Sequence, residues 1–132
     1  MKGLGYKADA PDERDFRYGA SSAPELPPVL FRVPDLTAYS DRIRDQGNTS
    51  SCVGQALAAA IEITSAATDG APLNVSARYL YAIAREAERR GKTLADDGSF
   101  PRLAMLATAE RGIVAEKICP FSEDLIDRKA HV

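Results

Sequence analysis

Cys52 is where this sequence has the means to do chemistry. It follows Gln46 by six positions in the stretch DQGNTSSC, and an alanine-rich run, SCVGQALAAAIEITSAA, begins at Ser51. A thiol attacks as its thiolate. The first turn of a helix favours negative charge, because its backbone N–H groups are unpaired and its dipole is positive there. A cysteine opening a long helix is therefore well placed as a nucleophile. Attack on a carbonyl creates an oxyanion that needs donors. The Cys52 N–H is one, and the Gln46 carboxamide, carried round by a turn, is a second. Gly47 and Asn48 suit that turn. A plainer reading stands beside this one, in which Cys52 is a small apolar residue next to Val53 that fills core space at a helix start.

The elements that must hold these residues are legible from periodicity. A first helix over about 51–67 carries Val53, Leu57 and Ile61 at every fourth position, with Ala56, Ala60 and Ile63 widening that face, so it is expected to be largely buried. TDGAP ends it. Ser76 is the expected N-cap of a second helix, ARYLYAIAREAERR, with an apolar stripe of Tyr79, Leu80, Ile83, Ala84 and Ala87 and a stop at Gly91. Arginines in its last turn complement the helix dipole. The turn DDGSFP leads into a third helix from Pro101 to Gly112, and GIVAEKICPF reads as a short extended segment. The tail SEDLIDRKAHV offers little apolar surface. Ahead of the helices, residues 1–34 read as an extended wrapper, because prolines at 11, 24, 27, 28 and 34 bias their predecessors away from helix. Phe16 and Tyr18 are candidates to pin it down, and VLFRV at 29–33 is its one strand candidate. The expected organisation is that wrapper followed by a helical domain over 35–132.

Composition removes several classes of function. With 45% hydrophobic and 27% charged residues the chain should fold as one domain rather than stay disordered. A net charge of −2 and a pI near 5.4 argue against nucleic acid as the main partner, since phosphate binding calls for a basic patch. The sequence has no apolar run of about 18 residues to cross a membrane. Its opening, MKGLGYKADAPDERDFRY, has no stretch of signal-peptide character, so a cytoplasmic location is expected. Two cysteines in dissimilar contexts and a single histidine, His131, form no metal-ligand spacing, so neither a metal nor a cofactor is expected.

The order of these features resembles the papain-like cysteine peptidases. Gln46-Gly47, four intervening residues and then Cys52 match the family's approach to its nucleophile, including Ser51 just before the cysteine. NVSARYLY is similar to the start of the family's next helix. DGSFPRLAMLATAERGIVAEKICPF is similar to its glycine-rich turn, aromatic-proline pair, helix, glycine and closing aromatic-proline segment, with Phe100-Pro101 and Cys119-Pro120-Phe121 in the corresponding places. The opening GYKADAPDERDFRY is similar to the lead-in of bacterial members without a long pro-region. The resemblance implies an α+β, mainly α chain: the helical half of the fold, with the β-rich second domain largely missing. It implies a peptide or protein substrate, hydrolysis through an acyl-enzyme on Cys52, and Gln46 as an oxyanion donor. Gly98, Ser99 and Phe100 would form the substrate-binding turn, although Ser99 replaces a glycine of the family. Val53 replaces the usual tryptophan, and Thr49 the cysteine of a family disulfide.

The family's base, a histidine in a β-rich second domain with an asparagine beyond it, has no counterpart here. His131, penultimate in an unpatterned tail, reads as an exposed terminal residue. Three expectations stay open: a portion of a longer peptidase, a homodimer or second chain that completes the fold, or a non-catalytic papain-like module that binds peptides. Related thiol chemistry, such as amidase or transpeptidase action, shares the same cysteine-helix start.

Overall fold

The first long helix, α1, runs Cys52–Asp69 and stops at Gly70, whose φ of 65° supplies the left-handed cap. Helix α2 follows at Ala77–Arg89 and α3 at Pro101–Arg111. These elements belong to a computed structural model that describes residues 4–15, 35–40, 42–71, 73–89 and 95–126. Short 3-10 turns stand at Leu36–Tyr39 and Glu123–Leu125. Among the described residues β pairing is confined to two isolated bridges, Tyr6 with Ser99 (parallel) and Val75 with Ala115 (antiparallel). Over the described residues the chain is thus mainly helical. The strand candidate at 29–33, the pinning residues Phe16 and Tyr18, the stop at Gly91 and His131 lie outside the described residues.

α2 is the centre of the molecule, because it packs on both α1 and α3. Every residue from Tyr79 to Arg85 is buried, so α2 is enclosed on more sides than its predicted stripe. Ser76 caps it as expected: its Oγ accepts from the Tyr79 N–H at 3.0 Å and donates to the Cys119 carbonyl at 2.5 Å. Small residues let the helices close up. A Cβ on Gly54 would lie 2.7 Å from the Ala77 carbonyl and 2.8 Å from Tyr81 Cβ, so α1 and α2 touch backbone to backbone.

The buried face of α1 differs from the expected one. Val53 is buried, but Leu57 and Ile61 lie at the margin of the core, and Ala56 and Ala60 face outward. The face turned inward carries Gly54, Gln55, Ala58 and Glu62. Polar residues point into the protein because partners wait for them. Glu62 Oε1 accepts from Arg42 at 2.8 Å, Arg44 at 2.5 Å and the Val75 N–H at 2.6 Å. A burial pattern read from hydrophobicity alone misses a carboxylate satisfied by two guanidiniums and an amide.

The C-terminal tail also departs from expectation. Ile126 is buried, and its carbonyl accepts from the guanidinium of Arg85. That arginine is fully buried. It also donates to the Ala95 carbonyl at 2.9 Å and stacks its guanidinium 4.0 Å from the centre of the Tyr81 ring. Segment 112–119 begins extended, with the Ser76 N–H donating to the Val114 carbonyl and the Glu116 N–H to the Asn74 carbonyl. It then turns, with the Ile118 N–H donating to the Ala115 carbonyl.

Candidate active site

The turn before α1 is built mostly from its own residues, with the Glu123 carboxylate accepting from the Asn48 N–H at 3.1 Å. The Asp45 carboxylate accepts from the Gly47 N–H at 2.9 Å, and Gly47 takes the positive φ of 57° that the sequence led us to expect. The Gln46 carbonyl accepts from the Thr49 N–H at 3.2 Å and from Thr49 Oγ1 at 2.7 Å. The Gln46 carboxamide folds back over the same turn, its Nε2 donating to the Thr49 carbonyl at 2.7 Å. Thr49 and Ser51 share a buried hydroxyl contact at 2.7 Å. Ser51 is the N-cap and its carbonyl takes the first helical bond, from the Gln55 N–H. Cys52 is then the first residue of α1. It is half-buried and its thiol is free. Gln46 and Cys52 thus sit at the two ends of one continuous, hydrogen-bonded turn.

The 98–100 turn meets this approach from the other side. The Ser50 N–H donates to both oxygens of Asp96, each at 2.9 Å. Asp96 Oδ1 also accepts from the Tyr81 hydroxyl at 2.8 Å, and that hydroxyl accepts from the Gly98 N–H at 2.9 Å. Burial, aided by the Asp96 carboxylate, pushes the Tyr81 phenol upward, so it stays protonated and donates. Gly98 has a φ of 89°. Phe100 is the N-cap of α3, and the Lys7 ammonium lies 5.5 Å from its ring centre.

A third strand of chain runs between the two turns. The Ser99 N–H donates to the Gly5 carbonyl at 2.8 Å, and the Lys7 N–H donates to the Ser99 carbonyl at 3.1 Å. Gly5 is wedged: a Cβ there would lie 1.6 Å from the Ser50 carbonyl oxygen, and a Cβ on Gly98 would lie 2.1 Å from the Gly5 carbonyl oxygen. No side chain fits at Gly5 without moving backbone. Segment 4–15 is fastened further along by charge. Lys7 pairs with Glu88 at 2.9 Å, and Arg102 pairs with Asp15 at 2.8 Å and Asp12 at 3.4 Å. Beside Cys52 an apolar groove of about 400 Å³ runs between α1 and α3, lined by Tyr6, Ala56, Leu57, Ala60 and Met105.

The structure therefore brings Gln46, Cys52, Gly98 and Ser99 into one neighbourhood, with Phe100 at its edge. Sequence reasoning missed Asp96, Tyr81 and Gly5, which join the pieces. Asp96 read only as part of a turn and Tyr81 only as part of a helix. No spacing rule links residues 50, 81 and 96. The described residues contain no group of three or more His, Cys, Asp or Glu side chains arranged to hold a metal ion. No described helix is long and apolar enough to cross a membrane.

No family model and no curated protein matches the chain. Among solved structures it is similar to xylellain, a cysteine protease from Xylella fastidiosa, at 29% identity and a TM-score of 0.67 over 98% of this chain and 46% of that one. It is also similar to the proform of Amb a 11, a cysteine protease and ragweed pollen allergen, at 20% identity and a TM-score of 0.55 over 70% of this chain and 29% of that one. The second likeness bears on fold alone. The chain spans less than half the length of either structure. Both are papain-like cysteine proteases, and the three helices with their cysteine-led α1 have the fold of the helical half of that architecture.

Proposed function

We propose that this chain carries the nucleophilic half of a cysteine peptidase, with Cys52 as nucleophile and Gln46 and the Cys52 N–H as oxyanion donors. The observation that carries the reading is the position of Cys52. It is a half-exposed thiol at the first residue of an 18-residue helix, reached through a turn that the Gln46 carboxamide closes, in a fold shared with xylellain. The two donors lower the barrier to addition of the Cys52 sulfur to a peptide carbonyl. Collapse of the adduct expels the amine and leaves a thioester on Cys52. Amine protonation and water attack on the thioester need a general acid and base, and the described residues place no imidazole beside Cys52. The proposed substrate is a peptide or protein. Its backbone would pair along Gly98 and Ser99, the edge now taken by residues 5–7, with Phe100 bordering it.

That occupied edge also favours a second reading, a peptide-binding module without turnover, because Ser99 already pairs with an extended backbone. A peptidyl electrophile with mass-spectrometric readout, run beside a fluorogenic peptide assay, separates the readings. The peptidase reading expects covalent capture at Cys52, absent in Cys52→Ala, and little turnover by this chain alone. Peptide binding with no capture at Cys52 would favour the module. Many turnovers by a monomer, lost in Cys52→Ala, would mean that this chain supplies its own base.

A further inference from the structure

The peptide unit joining Thr49 to Ser50 is held at both ends. Its carbonyl accepts from Gln46 Nε2 at 2.7 Å. Its N–H donates to the two Asp96 oxygens at 2.9 Å each. In a trans peptide the C=O and N–H point to opposite sides, so one rigid plane stands between the Gln46 carboxamide and the Asp96 carboxylate. Turning that plane to suit one partner breaks the bond to the other. Asp96 is itself fixed, since Oδ1 accepts from the Tyr81 hydroxyl at 2.8 Å, and Tyr81 is a fully buried residue of the central helix α2.

We propose that Asp96 is a positioning residue for the oxyanion site: through the Thr49–Ser50 peptide plane it sets the orientation of the Gln46 carboxamide at the approach to Cys52. The inference rests on the peptidase reading and adds to it a residue that never touches substrate. A hydrogen bond to a carboxylate is stronger than one to a neutral acceptor, which suits Asp96 to holding a main-chain plane that borders a reacting centre. Orientation matters here because an oxyanion donor acts only when it is already aimed where charge will develop.

Two reactions of Cys52 separate this role from general support of the fold. In the first, 4-nitrophenyl acetate acylates the thiolate. Sγ forms a bond to the acetyl carbon, the carbonyl electron pair moves onto oxygen as an oxyanion, and its return expels 4-nitrophenolate, leaving an S-acetyl group. The leaving group departs as an anion, so no base or acid from another domain is required. In the second, iodoacetamide alkylates the same sulfur by displacement of iodide, and no oxyanion forms. Both are read on the Cys52 peptide by mass spectrometry, with buried Cys119 as the internal measure of an intact fold.

Asp96→Ala should slow acylation about tenfold or more, within the loss known for removal of an oxyanion donor, while alkylation changes by less than about threefold. Asp96→Asn keeps an acceptor for the Ser50 N–H and should recover most of the acylation rate. Gln46→Ala should slow acylation by itself, and adding Asp96→Ala should cost little more, because both changes remove one arrangement. Equal slowing of the two reactions, full additivity with Gln46→Ala, or labelling of Cys119 in step with Cys52 would each overturn the positioning role. An unchanged acylation rate in Asp96→Ala would overturn it while leaving the nucleophile intact. Failure of the parent protein to acylate at Cys52 would instead remove the peptidase reading, and the role of Asp96 with it.

Discussion

At the scale of single residues, the two thiols should behave as different chemical objects although both are free. Cys52 is half-exposed at a helix start, whereas Cys119 is 3% exposed and its sulfur accepts from the Arg78 guanidinium at 3.7 Å. In native protein iodoacetamide should modify Cys52 alone, and Cys119 should react only once the fold is opened. Comparable native labelling rates would contradict the burial that separates them. Gly5 and Gly98 carry a second prediction. Gly5→Ala forces a methyl group into the Ser50 carbonyl, so residues 5–7 must lift from Ser99. Gly98→Ala places Cβ against the Gly5 carbonyl and requires a left-handed backbone, costing about 1–2 kcal/mol in conformation alone. Amide exchange at Ser99, whose N–H donates to Gly5, should accelerate in both variants. Unchanged Ser99 protection in Gly5→Ala would show that the wedge is not tight.

At the scale of elements, α1 is organised around a polar residue as much as around its aliphatics. Glu62 is 7% exposed and satisfies Arg42, Arg44 and the Val75 N–H together, tying the segment before the cysteine turn to the body of the helix. Glu62→Ala would strand the Arg44 guanidinium, which is 10% exposed, and should cost about 3–5 kcal/mol. Leu57 lies at the margin of both core clusters, so Leu57→Ala should cost only about 2 kcal/mol, at the low end for a leucine truncation. Outward-facing Ala60→Ser should fall within about 0.5 kcal/mol of the parent. Urea unfolding midpoints rank the three variants. If Leu57→Ala proved costlier than Glu62→Ala, the inward face of α1 would be assigned wrongly.

At the scale of the whole molecule, the opening segment is a strap across the candidate substrate edge, held by charge at its far end. Arg102 of α3 hydrogen-bonds Asp15 across to the strap and holds its carboxyl below the ordinary value of 3.8, while Asp12 is held well below it chiefly by Arg14 of the same segment and only in lesser part by Arg102. These are depressed acids, so their contribution is complete above 3.8 and is lost as the pH falls through the lowered values. The strap should therefore remain seated between pH 7 and pH 5 and loosen only below about pH 4. Because both carboxylates sit at the surface, salt should loosen it as well. Ser99 exchange and proteolytic nicking between residues 4 and 15 report its state. Release already complete at pH 5 would mean that other groups fasten it. Deletion of residues 1–15 should expose the Ser99 edge and strengthen peptide binding, an outcome read by fluorescence anisotropy with a labelled peptide.

What the sequence determined by itself was local. The helix starts at Cys52, Ala77 and Pro101 followed from caps, a proline and the change of period, because those signals act within a turn or two of chain. Gln46 and Cys52 were legible together for the same reason, as one short turn joins them. The inward face of α1 was not legible. Hydrophobicity favoured Val53, Leu57 and Ile61, whereas the fold turned Gln55 and Glu62 inward because arginines from another segment were there to meet them. Only the tertiary structure brought Ser50, Tyr81, Asp96 and Gly98 into one hydrogen-bonded group, and only it laid Gly5 between Ser50 and Ser99. Contacts over such separations depend on how α1, α2 and α3 pack. Packing is set by the sum of many small fits, so no motif of a few residues encodes it.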